Sequence, residues 1–188
     1  MTAKELPSPE ILRKLLRYEP ETGGLFWRER PVEFCKSVGE CKRWNMIYAN
    51  KPAFATLTHR GYMEGRLFKR IYGAHRVIWA MQTGAWPINQ VDHINQKRMD
   101  NRWCNLREAT RSQNCANTSS RPNSSSKYLG VGWHKSEQNW RATIRKNGCK
   151  KHIGSFDCEI QAAKAYDAAA LEIHGQFANL NFPEREAS

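Results

Sequence analysis

Asp92 and His93 stand side by side in "VDHINQKRMDNRWCNLREATRSQNCAN", residues 91–117, and five asparagines (95, 101, 105, 114 and 117) follow within 24 residues. An imidazole moves protons near neutral pH, and carboxylate and amide oxygens are donors that hard divalent cations prefer. Asparagine forms helices and strands poorly, so the cluster is either a polar loop or a site. Val91 and Ile94 bracket the Asp-His pair, which lets a short strand anchor in a core while its polar residues face a cleft. "NLREAT" reads as a second strand and "RSQNCANT" as the start of a helix capped by Ser112 or Thr110. Strand, loop, strand and helix then present His93, Asn105 and Asn114 at separations of 12 and 9 residues.

This layout resembles the HNH family of nucleases and its ββα-metal fold. The lead-in "AHRVIWAMQTGAWP" is similar to the segment before the motif in phage-type and intron-homing members, so the likeness spans about residues 60–118. The resemblance implies that His93 is the general base that takes a proton from the attacking water. It implies that Asp92 and Asn114 hold one divalent metal, magnesium or manganese, and that Asn105 ties the loop by hydrogen bonds. The third family position is often His; here it is Asn114, as in the homing branch, which makes the expected metal site weakly charged. Asn95, Asn101 and Asn117 read as loop and turn residues, and His75 as a packing residue. Lys97, Arg98, Arg102, Arg107 and Arg111 are candidates for phosphate contacts.

The elements that must carry this stretch begin with a helix that Ser8 can cap, with Pro9 in its first turn and Ile11, Leu12, Leu15 and Leu16 on one face. "LFWRERP" and "PAFATLTHRGYMEGRLF" read as a small sheet, and Ala74 to Thr83 as a second helix ended by Gly84 and Pro87. Residues 1–60 are thus an N-terminal α+β region and 61–118 the nuclease segment. "NTSSRPNSSSK" buries no apolar area and reads as a linker, 119–126, before a module at 127–183.

In that module "YLGVGWH", "NWRATIRKNG" and "KKHIGSF" alternate as strands, and "EIQAAKAYDAAALEIHG" is an alanine-rich helix. Period-two spacing puts Trp140, Ala142, Ile144 and Ile153 on a core face and Arg141, Thr143, Arg145, Lys150 and His152 on a cationic one. Residues 127–152 hold seven Lys and Arg against one Glu, whereas 153–183 hold one Lys against four acidic side chains. The sheet is therefore the reader of a polyanion and the helix its backing. The module resembles the plant ethylene-response-factor (Apetala-two type) DNA-binding domain, from "YLGV" to "LNFP". That likeness implies a three-stranded antiparallel sheet packed on one helix and entering the DNA major groove. Lys150, His152 and Arg145 match contacting positions, and Trp133, Lys135, Arg141 and Thr143 are candidates from the face argument. Leu129 and Gly132 stand where the plant domains carry arginine, and His152 where they carry tryptophan, so base preference does not transfer.

The formal charge of +12 attracts polyanions. The basic residues interleave with aromatics and glycines rather than lining a helix, which argues against a membrane surface. Six cysteines lie far apart without a C-x-x-C pair, the opening "MTAKELPSPE" has no apolar signal segment, and no run nears the roughly 20 apolar residues of a membrane span. The expectation is a cytoplasmic α+β protein of bacterial or phage type, a monomer or weak dimer. It is expected to be an HNH endonuclease acting on double-stranded DNA with a divalent metal and no small-molecule cofactor. The alternatives are a DNA-binding regulator with a decayed nuclease fold and an RNA-processing nuclease.

Overall fold

The computed structural model describes residues 6–118 and 124–183 and falls into two compact units, Met1–Glu108 and Ala109–Ser188. Most of the expected linker, residues 119–123, lies outside the described residues.

In the first unit Ser8 caps α1 (Pro9–Leu15) by accepting from the Ile11 N–H at 3.4 Å. β1 (Leu16–Glu19) follows without a break and pairs antiparallel with β2 (Gly24–Trp27), Leu16 opposite Trp27 and Glu19 opposite Gly24. The next helix, α2 (Val38–Tyr48), has no counterpart in the expectations above. Its signal is the Ser-x-x-Glu spacing of Ser37 and Glu40: Ser37 Oγ accepts from the Glu40 N–H at 3.2 Å, and Glu40 Oε2 from the Lys36 N–H at 2.7 Å. β3 (Pro52–Ala53) pairs with β2. β4 (Thr56–Leu57), β5 (Met63–Leu67) and β6 (Arg70–Gly73) form a second antiparallel sheet. α3 (Ala74–Thr83) occupies the expected span and ends where Gly84 turns left-handed, φ 80°. β7 (Gln90–His93) and β8 (Leu106–Ala109) form a two-stranded sheet.

One core unites this unit: Leu12, Leu15, Leu16 and Leu25 are buried with Val77, Ile78, Val91 and Leu106. Residues 1–60 therefore share the core of the segment that holds His93. A seven-residue α1 and a four-residue β1 cannot bury enough apolar surface alone, and α3 supplies the missing face.

The second unit opens with α4 (Arg111–Ala116), capped by Thr110 rather than Ser112: its hydroxyl accepts from the Gln113 N–H, and Gln113 Oε1 accepts from the Thr110 N–H at 2.8 Å. β9 (Val131–His134), β10 (Asn139–Lys146) and β11 (Cys149–Phe156) form an antiparallel sheet with β10 in the middle. α5 (Glu159–His174) lays Ala162, Ala163, Tyr166 and Ala170 against Val131, Ala142 and Ile144. Small side chains on α5 allow this close approach. Gly130 is obligatory where the chain enters β9: its φ is +75°, and a Cβ there would lie 2.1 Å from Tyr166 Cδ2. Among the described residues no helix is long and apolar enough to cross a membrane.

Candidate active site and nucleic-acid interface

His93 ends β7 with 3% of its surface exposed, next to Asp92 at 5%. Strand alternation would point these neighbours to opposite sides, and their partners differ accordingly. Asp92 Oδ2 accepts from Arg107 Nε at 3.0 Å and Nη2 at 2.9 Å, a two-pronged pair across the β7–β8 sheet. His93 Nε2 lies 3.0 Å from Asn101 Oδ1. Burial pushes the His93 imidazole below its ordinary value, against the raising influence of the Asn101 contact and of Asp92.

Asn105 spans the loop between the strands. Its Oδ1 accepts from the Asn95 N–H at 2.9 Å, its Nδ2 donates to Asp100 O at 2.7 Å, and its carbonyl accepts from the Ile94 N–H at 2.9 Å. Asp100 is gripped in turn by Arg102 Nε (2.8 Å) and Nη2 (2.7 Å), which holds its carboxyl well below the usual range.

Two residues come to this centre that sequence reasoning had set aside. Asn101, expected as a turn asparagine, is only 3% exposed and supplies the side-chain partner of His93. The signal that could have found it is its place in a loop otherwise rich in charge, where a buried amide needs a partner. His75 packs its ring 5.3 Å from that of His93, and Tyr62 closes the group at 5.1 Å from His75 and 5.9 Å from His93. Burial pushes the His75 imidazole down to about 3, with the neighbouring His93 and Arg76 adding to the shift. Its Nδ1 is buried with no hydrogen-bond partner among the described residues.

Of the expected phosphate contacts, Arg107 serves Asp92 and Arg102 serves Asp100, while Arg98 lies over the Tyr62 ring at 4.9 Å and donates to Arg60 O at 2.7 Å. These three arginines have protein partners. Asn114 lies on α4 in the second unit, half-buried. Among the described residues no three His, Cys, Asp or Glu side chains cluster as a metal cage. A carboxylate such as that of Asp92 suits a hard cation rather than a thiophilic one, but Arg107 offsets its charge.

On the sheet of the second unit, Arg141 pairs with Gly132, Thr143 with His152 and Arg145 with Lys150, so the cationic side chains share one face. A register shift between Ala142 and Thr143 makes Ile153 the extra residue of β11 and keeps both faces in phase. Trp133 is opposite Trp140, the two rings 5.0 Å apart and edge to face, which alternates it away from these cations, yet it stays exposed and lines the same groove. His134, not singled out from the sequence, alternates onto the cationic face instead. Lys135 follows β9 in the turn, exposed, and Arg141 Nη2 pairs with Glu137 Oε1 at 2.6 Å. Arg141, Thr143, Arg145, Lys150, His152 and His134 all line a groove of about 1010 Å³.

Comparison with known proteins agrees with both halves of this description. Residues 72–116 match the HNH endonuclease family model, and residues 126–176 match the AP2 domain. The chain is 39% identical over 109 residues to the "Uncharacterized HNH endonuclease L560" of Acanthamoeba polyphaga mimivirus, covering 57% of this chain and 56% of that protein. It is 30% identical over 115 residues to "Protein 3.8" of Escherichia phage T7, covering 59% of this chain and 94% of that protein. It is 42% identical over 67 residues to "Dehydration-responsive element-binding protein 2D" of Arabidopsis thaliana, covering 33% of this chain and 31% of that protein. The chain belongs to the HNH endonuclease family and joins an HNH segment to an AP2 domain.

Proposed function

We propose that the protein is a metal-dependent DNA endonuclease of homing or mobile-element type. In this reading β7, β8 and α4 form the ββα unit, and the cationic sheet face guides the enzyme on double-stranded DNA. The observation that supports it best is the buried His93, held through Nε2 by Asn101 and next in the strand to the carboxylate of Asp92.

His93 takes the proton from a water whose oxygen bonds to phosphorus while the bond to the 3′ oxygen breaks; the departing oxygen takes up a proton from solvent. Asn105 keeps the loop closed so that the histidine stays aimed. Asp92 and Asn114 would hold the divalent cation, which when bound neutralises charge on the phosphate and on the departing oxygen. In the second unit Trp133, Lys135, Arg141, Thr143, Arg145, Lys150 and His152 bind DNA, and joining the two modules raises the effective concentration of the second contact.

The test is supercoiled plasmid with magnesium or manganese, wild type beside His93→Ala and Asn114→Ala. Nicked or linear product from the wild type and none from the variants is expected. Cutting by His93→Ala at the wild-type rate would remove it as the base. A DNA-binding regulator without cleavage is the second reading, favoured by the Arg107 grip on Asp92 Oδ2, an oxygen that a metal ligand would use. Plasmid left supercoiled by the wild type but shifted in a gel would decide for it.

A further inference from the structure

Asn101 is where the nuclease loop meets the N-terminal hairpin, and we propose that β1–β2 is a working part of the nuclease centre: it holds Asn101 so that His93 presents Nδ1 as its basic nitrogen. The inference rests on the reading of His93 as general base.

An amide oxygen only accepts hydrogen bonds. With Asn101 Oδ1 at 3.0 Å, His93 Nε2 carries the proton and the lone pair falls on Nδ1. Which nitrogen is basic therefore depends on where the Asn101 backbone stands. That backbone is gripped from the end of β1 and the turn after it, residues 18–23. The Tyr18 hydroxyl donates to Asn101 O at 2.8 Å, and burial raises the phenol above its ordinary value, so it stays a donor. The Trp103 N–H donates to Pro20 O at 3.3 Å. Gly23 lies flat on the peptide joining Asn101 to Arg102: a Cβ there would stand 2.6 Å from Asn101 C and from Arg102 N, and φ is +75°. Glycine is thus required at this position both by space and by backbone conformation.

The turn is itself rigid, because Glu19 O accepts from the Gly23 N–H at 2.8 Å and Leu16 and Leu25 anchor the two strands in the core. On the other side Asn105 Nδ2 holds Asp100 O at 2.7 Å, so Asn101 is fixed from both flanks. A hairpin that only completed the core would need none of these contacts to fall on the residue that touches His93. Tyr18, Gly23 and Asn101 are positioning residues in this scheme, acting through His93.

The test uses the full chain labelled with ¹⁵N-histidine. Long-range ¹H–¹⁵N spectra report the His93 tautomer, assigned against His93→Gln, and cleavage of supercoiled plasmid in magnesium is the second readout. The wild type is expected to show Nε2–H. Tyr18→Phe and Asn101→Leu should populate the Nδ1–H form and lower kcat about tenfold or more with KM unchanged. Asn101→Asp, whose carboxylate still accepts from Nε2–H, should keep the tautomer and recover the rate. If Asn101→Leu does not fold, Tyr18→Phe, which loses a single oxygen, carries the comparison. An Nδ1–H tautomer in the wild type, or wild-type spectra and rates in both Tyr18→Phe and Asn101→Leu, overturns the proposal. A wild type that cuts no plasmid in magnesium or manganese removes the nuclease reading, and the ring spectra alone then decide whether the hairpin orients His93.

Discussion

Arg107 holds Asp92 Oδ2 with two nitrogens, at 3.0 and 2.9 Å, in a pair that is nearly closed to solvent. Removing one member of a buried ion pair leaves the other uncompensated, at a cost of about 3–5 kcal/mol. Arg107→Leu should therefore lower the melting temperature in EDTA. Millimolar magnesium or manganese should restore more of it in the variant than in the wild type, because a cation at Asp92 replaces the missing charge. Equal metal response in the two proteins would argue against Asp92 as a ligand.

His75 makes the fold acid-sensitive. Its folded-state value of about 3 lies below the ordinary 6.5, so the unfolded chain binds this proton first as pH falls. The contribution is fully present above about pH 6.5 and shrinks steadily toward pH 3. His75→Phe also removes the unpaired Nδ1. Its urea midpoint should fall less between pH 7.5 and 5 than that of the wild type; parallel losses would contradict the assignment.

Arg145 and Lys150 face each other across β10 and β11 on the groove side. Either changed to Ala should weaken binding to all duplexes alike and reduce the salt dependence by about one counterion. Trp133→Ala should act differently. Its ring packs edge to face on Trp140, 39% exposed, so the expected loss is about 1–2 kcal/mol of stability with little change in the salt slope. Filter binding across a salt series and thermal melts separate the two outcomes.

Gly130→Ala should be the most damaging single methyl in the second unit. The added Cβ meets the Tyr166 ring and the Thr143 carbonyl oxygen at 2.8 Å, on a backbone already left-handed. A loss of more than about 3 kcal/mol is expected, seen as a lower melting transition and lost duplex binding.

Much of this protein is legible along the chain because the signals are local. Ser8, Pro9 and Gly84 bound their helices through caps, the alternation of Trp140 to Arg145 sorts two faces of one strand, and the spacing of Asp92, His93, Asn105 and Asn114 carries the family resemblance. α2 escaped that reading although Ser37 and Glu40 form a capping signal, since its helical stretch has little apolar periodicity to support it. The contact of Trp133 with Trp140 depends on cross-strand pairing, which a single strand cannot show.

Residue types and their order by themselves determined the likeness to two families, the basic sheet face and the Asp-His pair. Only the tertiary structure decided who holds that pair. Asn101 against His93, Arg107 against Asp92, His75 and Tyr62 around the imidazole, and Tyr18 reaching Asn101 from 83 residues away are contacts between distant segments. No periodicity encodes such contacts, because they arise when α1, α3, β1, β2, β7 and β8 bury their apolar sides in one core and bring the polar remainder into register.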